Sequence, residues 1–151
     1  EMVEKQDVHW RIKKLCFLVY LLMACYNPDT EEFQSVCRVM SGFSDAFYTK
    51  MKEFFSGDLI LSSKPSYYST GEAPDLWFSP SLVWAIRGAD LSVSPVHHAA
   101  MGLVHPSRGI SMRFPRFVRA VSDRSPEDCS TAADIADMFN SQTRKINVLA
   151  S

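Results

Sequence analysis

Five arginines, Arg108, Arg113, Arg116, Arg119 and Arg124, fall within 17 residues, and Asp123 is the single carboxylate among them. A guanidinium is planar, stays charged and grips phosphate oxygens through paired N–H donors, so this density suits contact with phosphate or a nucleic-acid backbone. The competing reading is a solvated basic strand face, because exposed charges need no further purpose. Phe114 stands between two of these cations in Arg113-Phe114-Pro115-Arg116-Phe117. Taken alone it reads as an ordinary barrel-strand side chain.

The positive charge is local. Residues 76–124 carry six cations against two carboxylates, whereas 26–75 carry four against eight. The whole chain has a net charge of −1 and a pI near 6.5, which excludes the global basic field of histone-like binders. Other chemistry finds little support. Cys16, Cys25, Cys37 and Cys129 have the spacing of neither a CxxC pair nor a secreted disulfide framework, and read as reduced, mostly buried thiols. His97, His98 and His105 lack a cysteine pair at ligand spacing, so no metal site is expected and they read as part of a polar loop.

The elements that position the arginines follow from pattern. At 151 residues and 46% hydrophobic content, the chain has apolar material for one core and is neither disordered nor collagen-like. Segments 17–26 and 33–40 flank Asn27-Pro28-Asp29-Thr30, whose turn chemistry predicts a hairpin. In its second arm Phe33, Ser35, Cys37 and Val39 form the inward face, with Gln34 and Arg38 outward. Ser44 caps a helix with an apolar stripe of Phe47, Met51, Phe54 and Phe55, closed by Gly57. Residues 62–80, with Pro65, Gly71, Pro74 and Pro80, read as a linking loop with a short extended piece at Tyr67-Tyr68.

Strand pattern returns at 82–87, where Leu82, Trp84 and Ile86 share a face opposite Arg87, and at 91–94, ended by Pro95. Residues 95–109 form a long loop. Ile110 to Val121 reads as one strand interrupted by Pro115, which implies an edge or a bulge. Without a bulge, Arg113 and Arg119 share one face and Phe114 and Arg116 the other. A last helix is expected from Ser130 or Thr131, burying Ile135, Met138 and Phe139, with Arg144 and Lys145 near its negative end. The apolar run Leu15 to Tyr26 is twelve residues, short of the roughly 20 that span a bilayer, and leads into the turn as a hairpin arm rather than a signal peptide. No membrane partner is expected.

Short strands with one inserted amphipathic helix and a C-terminal helix describe a mainly β domain, for which a five-stranded Greek-key OB-fold barrel is a common solution. Pattern does not separate that barrel from other small β-rich domains. The stretch ADLSVSPVHHAAMGLVHPSRGISMRFPRFVRAVSDRSPEDCSTAADIADMF, residues 89–139, resembles the C-terminal part of eukaryotic ATP-dependent DNA ligases. MACYNPDTEEFQSVCRVMSGFSDAFYTKMKEFFSGD (23–58) and TGEAPDLWF (70–78) resemble that family too, and VHPSRGIS and QTRK are most similar to its plant members. The resemblance covers about 22–147, leaving 1–21 unlike the family and 148–151 as a tail.

The resemblance implies an OB-fold that follows a nucleotidyltransferase domain in cis. Such a domain closes over ATP during enzyme adenylylation, then turns another surface to the minor groove of nicked duplex DNA. Arg113, Phe114 and Arg116 match its DNA-binding positions, with Phe114 as the aromatic that wedges in beside the nick. Asp123 and Arg124 match the end of the motif that approaches the ATP phosphates, and Arg119 is a nearby substitute cation. The resemblance further implies ATP and Mg2+ as cofactors of a full-length enzyme, a nuclear location, a monomer, and nick sealing in DNA replication, repair and recombination.

Three departures qualify this. Val121 stands where the family has the first arginine of Arg-x-Asp-Lys, and Ala85 follows Trp84 where glutamate is expected. The adenylylation motif Lys-x-Asp-Gly is absent from the sequence, so no catalytic residue is assigned, and the chain alone is expected to bind no cofactor and seal nothing. Residues 1–20 point to a fragment, an isoform or a misjoined gene model, with the first barrel strand missing or improvised from 12–21. The competing function is a stand-alone OB module that binds nucleic acid without catalysis.

Overall fold

A hairpin organises the computed structural model, which describes residues 6–8, 21–55 and 59–150. Its arms are β2 (Leu21–Asn27) and β3 (Glu32–Val39), paired from Asn27↔Glu32 to Leu21↔Val39 with a register shift between Met23 and Ala24. The turn forms as expected, because Asn27 Oδ1 accepts the backbone N–H of Asp29 at 3.0 Å and of Thr30 at 3.4 Å. β1 (Gln6–Val8) lies between β2 and β7 (Val83–Arg87), and β10 (Arg116–Val121) pairs on the far side of β7. With β5 (Tyr68–Ser69) beside β3, the sheet order is β10-β7-β1-β2-β3-β5.

Two ribbons complete the β-structure: β4 (Ile60–Leu61) with β6 (Trp77–Phe78), and β8 (Asp90–Ser94) with β9 (Gly109–Arg113). The β8–β9 ribbon is bridged to β3 by Ala99, whose N–H donates to Ser35 O at 3.0 Å and whose carbonyl accepts from Ile110 N–H at 2.7 Å. This is the OB-fold architecture with more strands than the five expected. Four of the extra strands are two or three residues long, too short for any period to show, and the fifth comes from the division of the expected 110–121 strand in two. The expected strand segments within 12–20, together with Cys16 and Gly57, lie outside the described residues.

β3 corrects the one-face expectation. Gln34 and Val36 are as buried as their neighbours, because the strand lies inside the sheet and is covered on both sides. Gln34 is accommodated by hydrogen bonds, its Oε1 accepting Ala100 N–H at 3.1 Å and its Nε2 donating to Glu32 at 3.0 Å. His97 is likewise buried rather than exposed in a polar loop. Its Nδ1 lies 3.0 Å from Ser35 Oγ, which itself donates to Thr70 Oγ1 at 2.7 Å. Burial holds its pKa down at about 4.

Helix α1 (Asp45–Phe54) packs its aromatic stripe on the sheet. Ser44 Oγ caps it by accepting Phe47 N–H at 3.1 Å. The helix stops at Phe54, with Phe55 N–H bonded to Met51 O at 2.9 Å, so its end precedes the expected Gly57. Phe55 is buried, while Phe54 turns outward at 41% exposure, against the expected stripe. Phe47 meets Phe117 at 4.6 Å between ring centroids, and Phe117 meets the buried Trp84 at 4.5 Å. Helix α2 (Ala132–Ala150) opens on a reciprocal cap, Thr131 N–H to Asp134 Oδ2 and Asp134 N–H to Thr131 Oγ1. It continues to Ala150, so Arg144 and Lys145 lie within it rather than at its end.

Candidate nucleic-acid interface

The expected single strand over 110–121 is two strands in two sheets. β9 pairs with β8 and β10 pairs with β7, and the chain turns a corner at Phe114-Pro115 between them. Pro115, which has no N–H to donate, is therefore in the corner and not in a ladder. Phe114 adopts a left-handed backbone conformation with φ of 53° and is 76% exposed. A non-glycine residue in that region carries a conformational cost of about 1–2 kcal/mol, and nothing is recovered here by burial. Directly behind the corner, Gly42 has φ of 96°, and a Cβ there would collide with the Phe117 backbone. Ser41 O accepts Phe117 N–H at 2.9 Å in this close approach.

Arg113 is tied to its cross-strand partner Asp90. Its Nε and Nη2 donate to the two carboxylate oxygens at 2.5 Å each, a forked geometry that fixes the guanidinium plane. The same guanidinium carbon lies 5.6 Å from the centroid of the Phe114 ring, within cation–π range. The bonded Arg113 also holds the Asp90 carboxyl below its ordinary value.

A bulge exists, but at Val118 rather than at Pro115. Arg116 pairs with Arg87 and Phe117 with Ile86, while Arg119 pairs with Ala85 and Val121 with Val83. The extra residue changes the parity of everything after it. Arg116 and Arg119 consequently share a face with Arg87, and Phe117 points with Ile86 and Trp84 into the core. The expected pairing of Arg113 with Arg119 across one strand face does not occur. Arg116, Arg119, Asp123 and Arg124 are exposed. Arg124 donates from Nη1 to the Asp128 carbonyl at 3.2 Å, and Ser125 bonds the Asp128 carboxylate at 2.7 Å. Val121 is buried against Val83, Ala85 and Cys129, so the position offers packing and no cation.

The sequence reading missed two residues. Asp90 carries no motif of its own, and its role depends on a strand pairing 23 residues apart. Arg87 was legible as outward-facing opposite Trp84 and Ile86, but its neighbour Arg116 follows only from the sheet register. Among the described residues no helix is long and apolar enough to cross a membrane.

Comparison with known proteins gives the family and the fold. The family model for the C-terminal region of ATP-dependent DNA ligases matches residues 17–124. DNA ligase 6 of Arabidopsis thaliana is 72% identical over 127 residues, which is 84% of this chain and 9% of that protein. DNA ligase 1 of the same plant is 43% identical over 144 residues, 94% of this chain and 18% of that protein. The crystal structure of the ligase domain of M. tuberculosis LigD superposes with a TM-score of 0.58 at 18% identity, covering 84% of this chain and 37% of the other, and so shares the fold. The chain belongs to the ATP-dependent DNA ligase family and corresponds to its C-terminal region. It spans only 9% and 18% of the length of those two plant relatives.

Proposed function

We propose that this chain is the nick-contacting OB-fold part of a longer ATP-dependent DNA ligase, with residues 22–147 as the functional unit. The observation that carries the reading is Phe114: a large apolar ring presented to solvent from a strained corner, with Arg113 and Arg116 on either side. Insertion of the ring at a base step would recover burial of about 1.5–3 kcal/mol. Arg116, which has no carboxylate partner among the described residues, is suited to an adjacent phosphate. Arg113 is already neutralised by Asp90, so its contribution is to hold the ring.

The second surface suits the nucleotide. Among the described residues Arg119 is exposed without a carboxylate partner and Arg124 is engaged by a backbone carbonyl and no carboxylate, so both charges are available for phosphate oxygens. ATP, accompanied by Mg2+, would supply the adenylyl group. Arg119 and Arg124 would stabilise the charge that develops on the departing pyrophosphate, and Asp123 would orient Arg124 from the adjacent position. The lysine that accepts AMP would come from a nucleotidyltransferase domain in cis, in a monomeric, nuclear enzyme acting in replication, repair and recombination.

The test is binding of the chain to a nicked duplex against an intact one of equal sequence. The reading expects preference for the nick that Phe114→Ala removes without loss of folding. Binding to single strands alone, indifferent to Phe114, would support a stand-alone OB module instead. Incubated with labelled ATP, the chain should form no covalent AMP adduct.

A further inference from the structure

Three arginines lie on one face of the β7–β10 pair, and among the described residues no carboxylate neutralises them. Arg116 is directly opposite Arg87, and Arg119 follows on the same face because the Val118 bulge shifts the register. All three are exposed, and among the described residues none has a carboxylate within ion-pair distance. Like charges directly opposite across a strand pair oppose folding. Arg38 and Arg113, by contrast, each hold a carboxylate, Glu72 and Asp90 respectively. Among the described residues the other two sheet arginines are thus balanced and this row is not.

We propose that Arg87, Arg116 and Arg119 form one phosphate-binding track across β7 and β10, with Arg87 as a contact outside the ligase motif residues. The track begins at Arg116, next to the Phe114 corner, and runs along the strand towards Asp123 and Arg124. It joins the two surfaces described above into one strip of phosphate chemistry. The recognised group is the phosphate oxygen, and its source is either the sugar–phosphate backbone of DNA or a nucleotide triphosphate. The choice of DNA as one probe rests on the function proposed above.

The experiment measures affinity of the whole chain for a labelled nicked duplex over a range of salt, and for inorganic tripolyphosphate, in the unchanged protein, Arg87→Gln and Arg87→Lys. Each cation engaged with the DNA backbone contributes about 0.9 to the slope of log affinity against log salt. If the backbone is the source, Arg87→Gln lowers that slope by about 0.9 and Arg87→Lys restores it. If a triphosphate is the source, the DNA slope holds and tripolyphosphate affinity falls several-fold in Arg87→Gln. Either result supports the track and names its source. In both cases the Tm of Arg87→Gln is unchanged or higher, because repulsion with Arg116 is relieved, whereas a merely structural arginine would lower it.

The track is overturned if Arg87→Gln, still folded, leaves the DNA slope and tripolyphosphate affinity unchanged. It is equally overturned if any loss only follows the fraction unfolded. If nicked DNA still binds through Phe114 in that case, the proposed function survives alone. If the unchanged chain does not bind nicked DNA, that function fails and the tripolyphosphate arm decides the track. A chain that binds neither probe overturns both.

Discussion

Phe114 and Phe117 belong to one pentapeptide and have opposite fates. Phe117 is buried between Trp84, Phe43 and Phe47, with ring centroids 4.5–5.2 Å away. Phe114 stands in solvent on a strained corner. Two ion pairs elsewhere in the sheets differ in the same way. Arg38 and Glu72 sit beside the buried His97, whereas Arg113 and Asp90 lie in solvent under the exposed ring. One residue type therefore serves folding on one side of Pro115 and is free for a ligand on the other, and burial decides which.

The largest expected break in this contrast is Phe117→Ala, which removes a core ring and should lower stability by about 3–5 kcal/mol. Chemical denaturation of the variant checks it. Phe114→Ala should leave stability within about 0.5 kcal/mol, as exposed positions do, while nick binding is lost. Equal destabilisation by the two substitutions would end the distinction.

Acid sharpens the comparison next. The pKa of His97 is lowered from 6.5 to about 4 in the folded chain, so the unfolded chain takes up the proton first as pH falls. Stability is then complete above about 6.5 and declines towards about 4, by on the order of 3 kcal/mol. Asp90 behaves differently. Its folded pKa lies below the ordinary 3.8, so its contribution survives until the pH falls below that value. Urea midpoints measured from pH 7 to pH 4 should fall in the parent and stay flatter in His97→Gln.

A smaller effect tests the strain at the corner. Glycine accepts a positive φ without cost, so Phe114→Gly should be about 1 kcal/mol more stable than Phe114→Ala. The smallest effect concerns Asp90. Asp90→Asn releases Arg113 from its fork and should weaken nick binding several-fold in the parent but hardly at all on the Phe114→Ala background. Additive losses in that double-mutant cycle would separate Asp90 from the ring.

Much of the scaffold was legible. The Asn27 turn, the Ser44 cap and the Trp84–Ile86 face each rest on local chemistry or a period long enough to count. The corner at Phe114 was not, because strand-like alternation continues across Pro115 and does not show a change of sheet. Nor was the bulge, since Val118 is an ordinary strand residue. His97 read as polar loop because its partner Ser35 is 62 residues away, and Asp90 escaped notice for a similar reason. Phe114 itself was singled out by its match to a family motif, while parity alone made it one more strand side chain.

The central claim is that the exposed ring of Phe114 enters a base step beside a nick. A nicked duplex carrying a fluorescent base analogue at the nick reports unstacking as a rise in emission when the chain binds. The account predicts a rise with the unchanged protein, none with Phe114→Ala at saturating concentration, and matching thermal stability for the two. An undiminished rise with folded Phe114→Ala would contradict it.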